Sequence, residues 1–214
     1  MSSKKPARLG RPPASSSAET RNRILTVAQA SFAELGYGVT TNKFVATKAG
    51  ITTGALYHYF DSKLDIYRAV YEHVQDTVND RLAASMVGKV TFIDKFEALL
   101  ETAHEMNRDD PSLALFLGSS RVDIARHDEL RDAIEGPGEG RSFAAMLVAT
   151  AVRTGEIDKA GRDQLRAFLR TVLVGLVDAL SSDINDHRVA VDAIKAVVRG
   201  QLVKPPKARA PRSR

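Results

Sequence analysis

Few residue patterns in this chain are suited to catalysis. Glu101 and His104 have the Glu-x-x-His spacing of a di-iron helical bundle, with Glu97 and Glu105 on adjacent turns. Such a centre requires a second Glu-x-x-His pair, which the sequence does not contain. His104 is therefore interpreted as a pocket or surface histidine. The alternative is a helical-bundle metalloenzyme, which would require stoichiometric iron or manganese.

Other catalytic signatures are also missing from the sequence. The 214 residues include no cysteine, which removes thiol nucleophiles, thiolate metal sites and disulfides. No Gly-x-Ser-x-Gly nucleophile elbow is present. The glycines between Gly136 and Gly140 follow no predicted strand, and Pro137 and Glu139 suit phosphate binding poorly. The sequence therefore predicts a protein that is not an enzyme and that needs no cofactor or metal.

Positive charge is concentrated at the two ends of the chain. Its 31 Lys and Arg against 26 Asp and Glu give a net charge of +5. Residues 1–18 carry +4, residues 19–63 carry +2, residues 64–203 carry −6 and residues 204–214 carry +5. A polyanion such as DNA is attracted to the first 63 residues and repelled by the middle of the chain. Nucleic-acid binding is therefore expected at the N-terminal end, and a different function in the middle.

Helical periodicity extends over nearly the whole chain without an alternating strand pattern, so the expected fold class is all-α. Order is expected to begin near Ser16, because Ser16 and Glu19 have the spacing of a capping box. Three further helix starts carry capping residues: Thr40 or Thr41, Thr52 or Thr53, and Asp61 or Ser62. Later helices are expected at 91–108, 112–126, 128–154, 160–183 and 187–202. No apolar run approaches the roughly 20 residues of a membrane helix, and a cytoplasmic protein without membrane contact is expected.

Two short helices meet at the segment Ala49-Gly50-Ile51-Thr52. The small alanine lets the helices approach, the glycine tolerates the tight turn, and the isoleucine fills the corner. A helix projected in this way is about 10–12 Å wide and fits the major groove of DNA, which is about 12 Å wide. The spacing therefore predicts a helix-turn-helix.

The run from Ile24 to Val70 resembles the DNA-binding domain of the TetR family of bacterial transcriptional repressors. The resemblance begins with the spacing of Ala28 and Phe32 and continues without a gap through these motifs: Gly36-Tyr37, Thr40-Thr41, Val45-Ala46, Ala49-Gly50-Ile51, Gly54-Ala55-Leu56-Tyr57-His58-Tyr59-Phe60 and Ser62-Lys63. It implies a three-helix DNA-binding domain at 16–63, followed by a helical effector-binding and dimerisation domain at 64–203. The flanking residues 1–15 and 204–214 are expected to form a disordered basic arm and tail.

The resemblance implies DNA contacts from the starts of three helices. Thr41, Asn42 and Lys43 are expected along the phosphates, where hydroxyl, amide and helix N-terminus suit an anion. The recognition helix and the start of the next helix are expected to supply the other contacts: Thr52, Thr53, Gly54, Ala55, Tyr57, His58 and Lys63. Simpler interpretations stay open, since the threonines are also ordinary helix caps and Lys63 is also a plausible surface charge.

Neighbouring positions qualify this interpretation. Leu56 and Phe60 are expected in the core, and Tyr59 is expected to pack rather than to touch DNA. Phe44 stands where the family usually has an acidic or polar residue, so the capping box of the second helix is missing. Ala55 stands where a hydroxyl is common, which leaves contact with a thymine methyl group as the alternative.

The N-terminal arm contains a second DNA-binding signal. Gly10-Arg11-Pro12-Pro13 resembles half of an AT-hook, in which Arg11 would enter the minor groove of A·T-rich DNA. Leu9 replaces the usual preceding arginine, and a disordered arm with loose phosphate attraction is an equal alternative.

The later helices carry apolar faces for a ligand and for a partner subunit. The resemblance favours a cavity for a small-molecule effector, and the few aromatic and many Leu, Ala and Met residues indicate an uncharged, lipophilic one. The candidate residues are these: Phe96, Leu100, His104, Phe116, Arg121, Met146 and Phe168. It also implies a four-helix homodimer interface, with these candidates: Leu169, Val172, Leu176, Leu180, Val191, Ile194 and Val198. Solid packing within one chain is the alternative for both sets.

Taken with the resemblance, these residues predict a ligand-responsive transcriptional regulator, a repressor in most members of the family. It would bind a palindromic double-stranded DNA operator as a homodimer and be released by its effector. The alternative is a constitutive DNA-binding protein whose helical body is filled and purely structural or partner-binding.

Overall fold

The computed structural model describes residues 14–134, 143–179 and 184–202. Within these ranges the chain is helical and contains no strand, which confirms the predicted all-α class. The helices of the described part are α1 (Ala14–Val39), α2 (Asn42–Lys48), α3 (Thr53–Leu56), α4 (Lys63–Ser85), α5 (Phe92–Asp109), α6 (Pro111–Arg126), α7 (Asp128–Ile134), α8 (Phe143–Thr154), α9 (Arg162–Ala179) and α10 (Ile184–Val198). None of them combines the length and the apolarity that crossing a bilayer requires.

Three of the predicted helix caps are present, and one is not. Thr41, Thr52 and Ser62 precede α2, α3 and α4, and the side-chain oxygen of each accepts a hydrogen bond at 3.1 Å from the backbone N–H three residues later. The capping box expected at Ser16 is wrong, because α1 already begins at Ala14 and Ser16 lies inside it. The predicted helix 128–154 corresponds to α7 and α8, and the glycine-rich segment between them lies outside the described residues.

One core joins the N-terminal helices to the later ones. The Tyr67 ring of α4 lies 4.8 Å from the Phe32 ring of α1 and 5.4 Å from the Phe116 ring of α6, measured between centroids. All three side chains are fully buried. Since α4 starts in the predicted DNA-binding domain and continues into the helical body, the packing is continuous across residue 63. The two predicted domains therefore share a core.

Asp123 on α6 ties the end of α1 to the helical body. Its buried carboxylate accepts hydrogen bonds from the backbone N–H of Tyr37 at 3.0 Å and from the Tyr67 hydroxyl at 3.3 Å. Gly36 makes this approach feasible: its φ of 75° and ψ of 169° interrupt α1, and a Cβ at this position would lie 3.3 Å from the carboxylate. Few residues other than glycine adopt this backbone conformation.

Candidate nucleic-acid interface and effector cavity

The turn between α2 and α3 is closed by the residues expected from the sequence. Ala49 is buried, Gly50 has a φ of 69° and Ile51 is partly buried against the core. Leu56 and Phe60 are in the core, as predicted. α3 is therefore held against α2 and the core by its apolar side.

The opposite side of α3 is open to solvent. Tyr57 is 50% exposed, and His58 and Gly54 are exposed as well. At the start of α2, Thr41 and Lys43 are exposed. The structure therefore presents these predicted DNA contacts on the surface, and contact with DNA itself stays a prediction. Arg11 lies outside the described residues.

Asn42, the first residue of α2, is bonded to Tyr57, the residue that directly follows α3. Its side-chain Nδ2 donates to the Tyr57 hydroxyl at 3.3 Å. Its Oδ1 is buried and has no hydrogen-bond partner in the described part of the chain. A buried polar atom without a partner destabilises a fold, so stability alone does not account for an asparagine here. Asn42 positions the Tyr57 ring at the exposed edge.

Lys63 is more deeply engaged in the chain than the sequence indicates. Its Nζ donates to the Tyr37 carbonyl oxygen at 2.7 Å and lies 4.1 Å from the centre of the Tyr37 ring. An ammonium group has three donors, so phosphate contact stays a prediction beside this structural role. Lys63 also connects α4 to Tyr37, whose own N–H is bound by Asp123.

Phe44 does not disturb the start of α2. Thr41 still caps the helix through the Phe44 N–H, although the reciprocal acidic residue is missing. The Phe44 ring is partly buried, and the Lys48 ammonium lies 5.6 Å from its centre. Ala55 is partly buried at the first turn of α3, beside the exposed Gly54.

A cavity of about 530 Å³ lies between α4, α5, α6, α8, α9 and α10. Most of its wall is apolar, with these side chains among others: Val78, Leu82, Met106, Leu113, Leu117, Ile124, Phe143, Leu173 and Val177. Its polar residues are Tyr71, Gln75, Asn107, Ser120, Arg121, Arg166, Arg170 and His187. A volume of 300–1,000 Å³ is typical of small-molecule sites.

Of the predicted effector residues, only Arg121 lines this cavity. Phe96, Leu100 and Phe116 are fully buried in the solid core, so their assignment to the cavity is wrong. All three belong to helix faces that pack on other helices. The periodicity identified them correctly as apolar and inward-facing, but it does not separate a packed face from a cavity wall.

The other three candidates also lie off the cavity wall. His104 is bonded to His187, which itself lines the cavity. Met146 points outward and is 38% exposed, and Phe168 packs on Phe96 at a ring distance of 6.0 Å. The α4 residues Tyr71 and Gln75 were missed as cavity residues. The sequence pattern that could have identified them is a pair of side chains with polar ends, one turn apart, on the side of α4 that carries Val74 and Val78.

A chain of hydrogen bonds runs through the buried His187. Its Nε2 lies 3.0 Å from the Asn107 Nδ2, and its Nδ1 lies 3.0 Å from the His104 Nδ1. Burial, and secondarily His104, lowers the pKa of His187 to about 4. His187 is therefore neutral near pH 7, accepting from Asn107 and donating to His104. It contributes a polar but uncharged part of the wall.

The Glu-x-x-His pattern of α5 has a structural explanation. Glu101 accepts hydrogen bonds from Arg188 and Lys195 of α10 at 2.6 Å each, and hydrogen bonding from Arg188 lowers its pKa to about 2. Glu97 pairs with Arg199. These carboxylates bind α10 to α5, and the described ranges contain no group of three metal-binding side chains.

The predicted dimer residues divide into covered and partly exposed positions. Leu169, Leu176 and Val191 are covered by their own chain, so assigning them to a partner interface is wrong. Val172, Ile194 and Val198 are only partly covered and stay predictions. Leu180 lies outside the described residues. The more exposed apolar positions of α10 are Val189 and Val197, which are 67% and 50% exposed.

Comparison with known proteins finds the same domain in regulators. Residues 24–70 match the family model of bacterial regulatory proteins, tetR family. A nucleoid occlusion factor, SlmA of Haemophilus influenzae strain PittGG, is 31% identical over 100 residues, which is 46% of each chain. The HTH-type transcriptional repressor BepR of Brucella suis is 43% identical over 53 residues, which is 25% of each chain. The chain thus spans less than half the length of these relatives.

The similarity of the fold extends further along the chain. The fatty acid degradation regulator FadR of Bacillus halodurans superposes with a TM-score of 0.67 at 18% identity, over 91% of this chain and 98% of that one. At this identity the likeness concerns the fold alone. The helical body therefore shares the all-helical fold of that regulator.

Proposed function

We propose that the chain, whose residues 24–70 match the family model of bacterial regulatory proteins, tetR family, is a ligand-responsive transcriptional repressor of that family. In this proposal a homodimer binds a palindromic operator, and a small molecule in the cavity releases it. In this proposal the protein acts in the cytoplasm, where it meets its DNA operator.

The observation that carries the proposal is that α4 and α6 serve both regions. α4 begins at Lys63, next to α3, and its Tyr71, Gln75, Val78 and Leu82 line the cavity. A ligand that moves the cavity-lining part of α4 would therefore shift the helix-turn-helix formed by α2 and α3. A coupling of about 1–3 kcal/mol between two such sites is typical.

Asp123 offers the shortest path for this coupling. Arg121 and Ile124 line the cavity from α6, and Asp123 between them binds the N–H of Tyr37. The Tyr37 carbonyl in turn accepts from Lys63 at the start of α4. A small shift of α6 would therefore reach both α1 and α4 through hydrogen bonds that are already formed.

A homodimer is supported by the exposed face of α10 and by the geometry of DNA. Val189 and Val197 lie two turns apart, eight residues, on one face of α10 and are largely exposed. Two recognition helices reading successive major grooves must lie about 34–36 Å apart, and a twofold dimer meets that requirement. The outward residues of α9 and α10 are the proposed interface.

An occupancy reporter tests the proposal directly. The chain contains no tryptophan, so Phe143→Trp places one fluorophore in the cavity wall, and Val87→Trp in an exposed turn serves as the control. Compounds that change only the Phe143→Trp signal would be titrated against a protein–operator complex. We expect operator affinity to fall roughly 5- to 150-fold.

The alternative is a constitutive DNA-binding protein, and the relative named as a nucleoid occlusion factor is not named as a repressor. The cavity volume favours the ligand-responsive function over a filled body. Compounds that occupy the cavity yet leave operator affinity unchanged would support the alternative instead.

A further inference from the structure

We propose that the cavity binds an amphipathic molecule made of an apolar chain and one anionic head, with the head at the arginines of α6 and α9. This inference rests on the proposed function, because it names the class of effector for the same cavity. It replaces the expectation of an uncharged effector.

The three charged residues of the cavity wall all carry positive charge. Arg121 comes from α6, and Arg166 and Arg170 come from α9. Arg166 and Arg170 are four residues apart, so they lie on the same face of α9. Among the described residues that line the cavity, none is acidic. An uncharged ligand would offer these three positive charges no opposite charge.

Two of these arginines have no acidic partner among the residues that the structure describes. Arg166 pairs with Asp163 at 2.9 Å, at a solvent-exposed position. In the described part of the chain, Arg121 and Arg170 have no ion pair with an acidic side chain. A guanidinium group binds a carboxylate or a phosphate through two parallel N–H donors. Arg121 and Arg170 are therefore available for an anion.

The packing of α6 on α9 brings these arginines to one cavity. Gly118 lies one turn before Arg121, and a Cβ at this position would be only 2.9 Å from the Val177 side chain. The two helices are therefore in close contact at Gly118. The arginines of both helices then line the space beside this contact.

The exposed part of the cavity wall is charged and the buried part is uncharged. This difference determines which end of the ligand lies at the solvent side. The arginines are solvent-exposed, whereas Ser120, Asn107 and His187 are buried. These three are uncharged near pH 7, because burial holds His187 in its neutral form. An anionic head is thus favoured at the exposed side, and an apolar chain is favoured along Val78, Leu82 and Met106.

The test compares three probes that share a C12 chain: dodecanoate, dodecan-1-ol and dodecylamine, each below its micelle concentration. Their binding to the full-length protein without DNA would be measured by isothermal titration calorimetry. Arg121→Gln and Arg170→Gln are the test variants. Arg162→Gln is the matched control, because Arg162 is an exposed arginine of the same helix that does not line the cavity.

We expect dodecanoate to bind more tightly than the alcohol and the amine. Each test variant should weaken its binding about tenfold to hundredfold, as the loss of a charge-assisted hydrogen bond does, and the control should not. Equal or tighter binding of the alcohol, no binding of dodecanoate, or the same loss in the control would overturn the inference.

The result is separable from the proposed function. Dodecanoate that binds through the arginines but leaves operator affinity unchanged would support the ligand class and contradict the ligand-responsive repressor. Release of the operator by the uncharged alcohol alone would support the ligand-responsive repressor and contradict the anionic ligand class.

Discussion

Tyr57 and His58 lie on the exposed edge of α3, while Leu56 and Phe60 bind that edge to the core. Because neither side chain belongs to the buried core, Tyr57→Ala and His58→Ala should leave the fold intact. Each is expected to weaken operator binding by about 1–3 kcal/mol. Fluorescence anisotropy at fixed salt would measure this change.

His73→Ala is the control for this pair, since His73 is an exposed histidine farther along α4. Tyr57→Phe would separate the ring from the hydroxyl that binds Asn42. Unchanged operator affinity in both alanine variants would remove α3 from the DNA interface.

His187 should make stability dependent on pH. Its pKa is lowered from 6.5 to about 4 in the folded chain, first by burial and then by His104. As pH falls below about 6.5, the unfolded chain takes up a proton at this position that the folded chain does not, so folding is progressively disfavoured down to about pH 4. The expected loss is about 1–3 kcal/mol.

Urea unfolding of the wild type and of His187→Gln between pH 7 and 4.5 would measure this loss. The variant should be less stable at pH 7 but should lose less of its stability on acidification. An equal loss in both proteins would contradict the assignment to His187.

At the scale of elements, Gly36 is the point where α1 must bend to meet α6. Gly36→Ala would place a Cβ 3.3 Å from the Asp123 carboxylate at a φ of 75°. We expect the variant to lose about 1–3 kcal/mol of stability. Gly88→Ala is the control, with a φ of 76° and nothing within 4 Å. Thermal unfolding should show a larger loss for Gly36→Ala, and equal losses would exclude the contact with Asp123 as a cause.

The helices themselves were largely predictable, because capping hydroxyls and apolar periodicity are local signals. Thr41, Thr52 and Ser62 cap α2 to α4 in the way that their residue types predict. Ser16 shows the limit of such signals, since a capping motif inside a longer helix looks the same in sequence. The fold class follows from the same local rules, whereas the outward position of Tyr57 and His58 was implied by the family resemblance.

The cavity was not predictable in the same way. Phe96 and Met106 are both apolar residues of α5, but Phe96 packs on Phe92 and Phe168 whereas Met106 faces the cavity. Their difference depends on how α5 is rotated against the other helices around the cavity, and one helix's periodicity carries no such information. The hydrogen bonds of Asp123 could not be predicted either, because they join residues that are 86 and 56 positions apart in the sequence.

For the whole molecule, dimer formation is expected to need the outer face of α10. Val197→Glu places a charge at an apolar side chain that is 50% exposed in one chain. It should produce a monomer and weaken operator binding strongly, because each half-site would then be bound independently. Val87→Glu, at a 79% exposed position in the turn after α4, is the control.

Light scattering after gel filtration would measure the mass of both variants. A Val197→Glu protein that stays dimeric would place the interface elsewhere. A wild-type protein that is monomeric at working concentration would contradict the homodimer itself.

The most direct test of the central claim is a footprint of the full-length protein on a DNA fragment that it captures from its own genome. The account predicts two protected half-sites related by a twofold axis, with centres one helical turn of about 34–36 Å, or a multiple of it, apart. Protection should be lost from both half-sites in Tyr57→Ala/His58→Ala. A single protected site, or a footprint unchanged in that double variant, would contradict it.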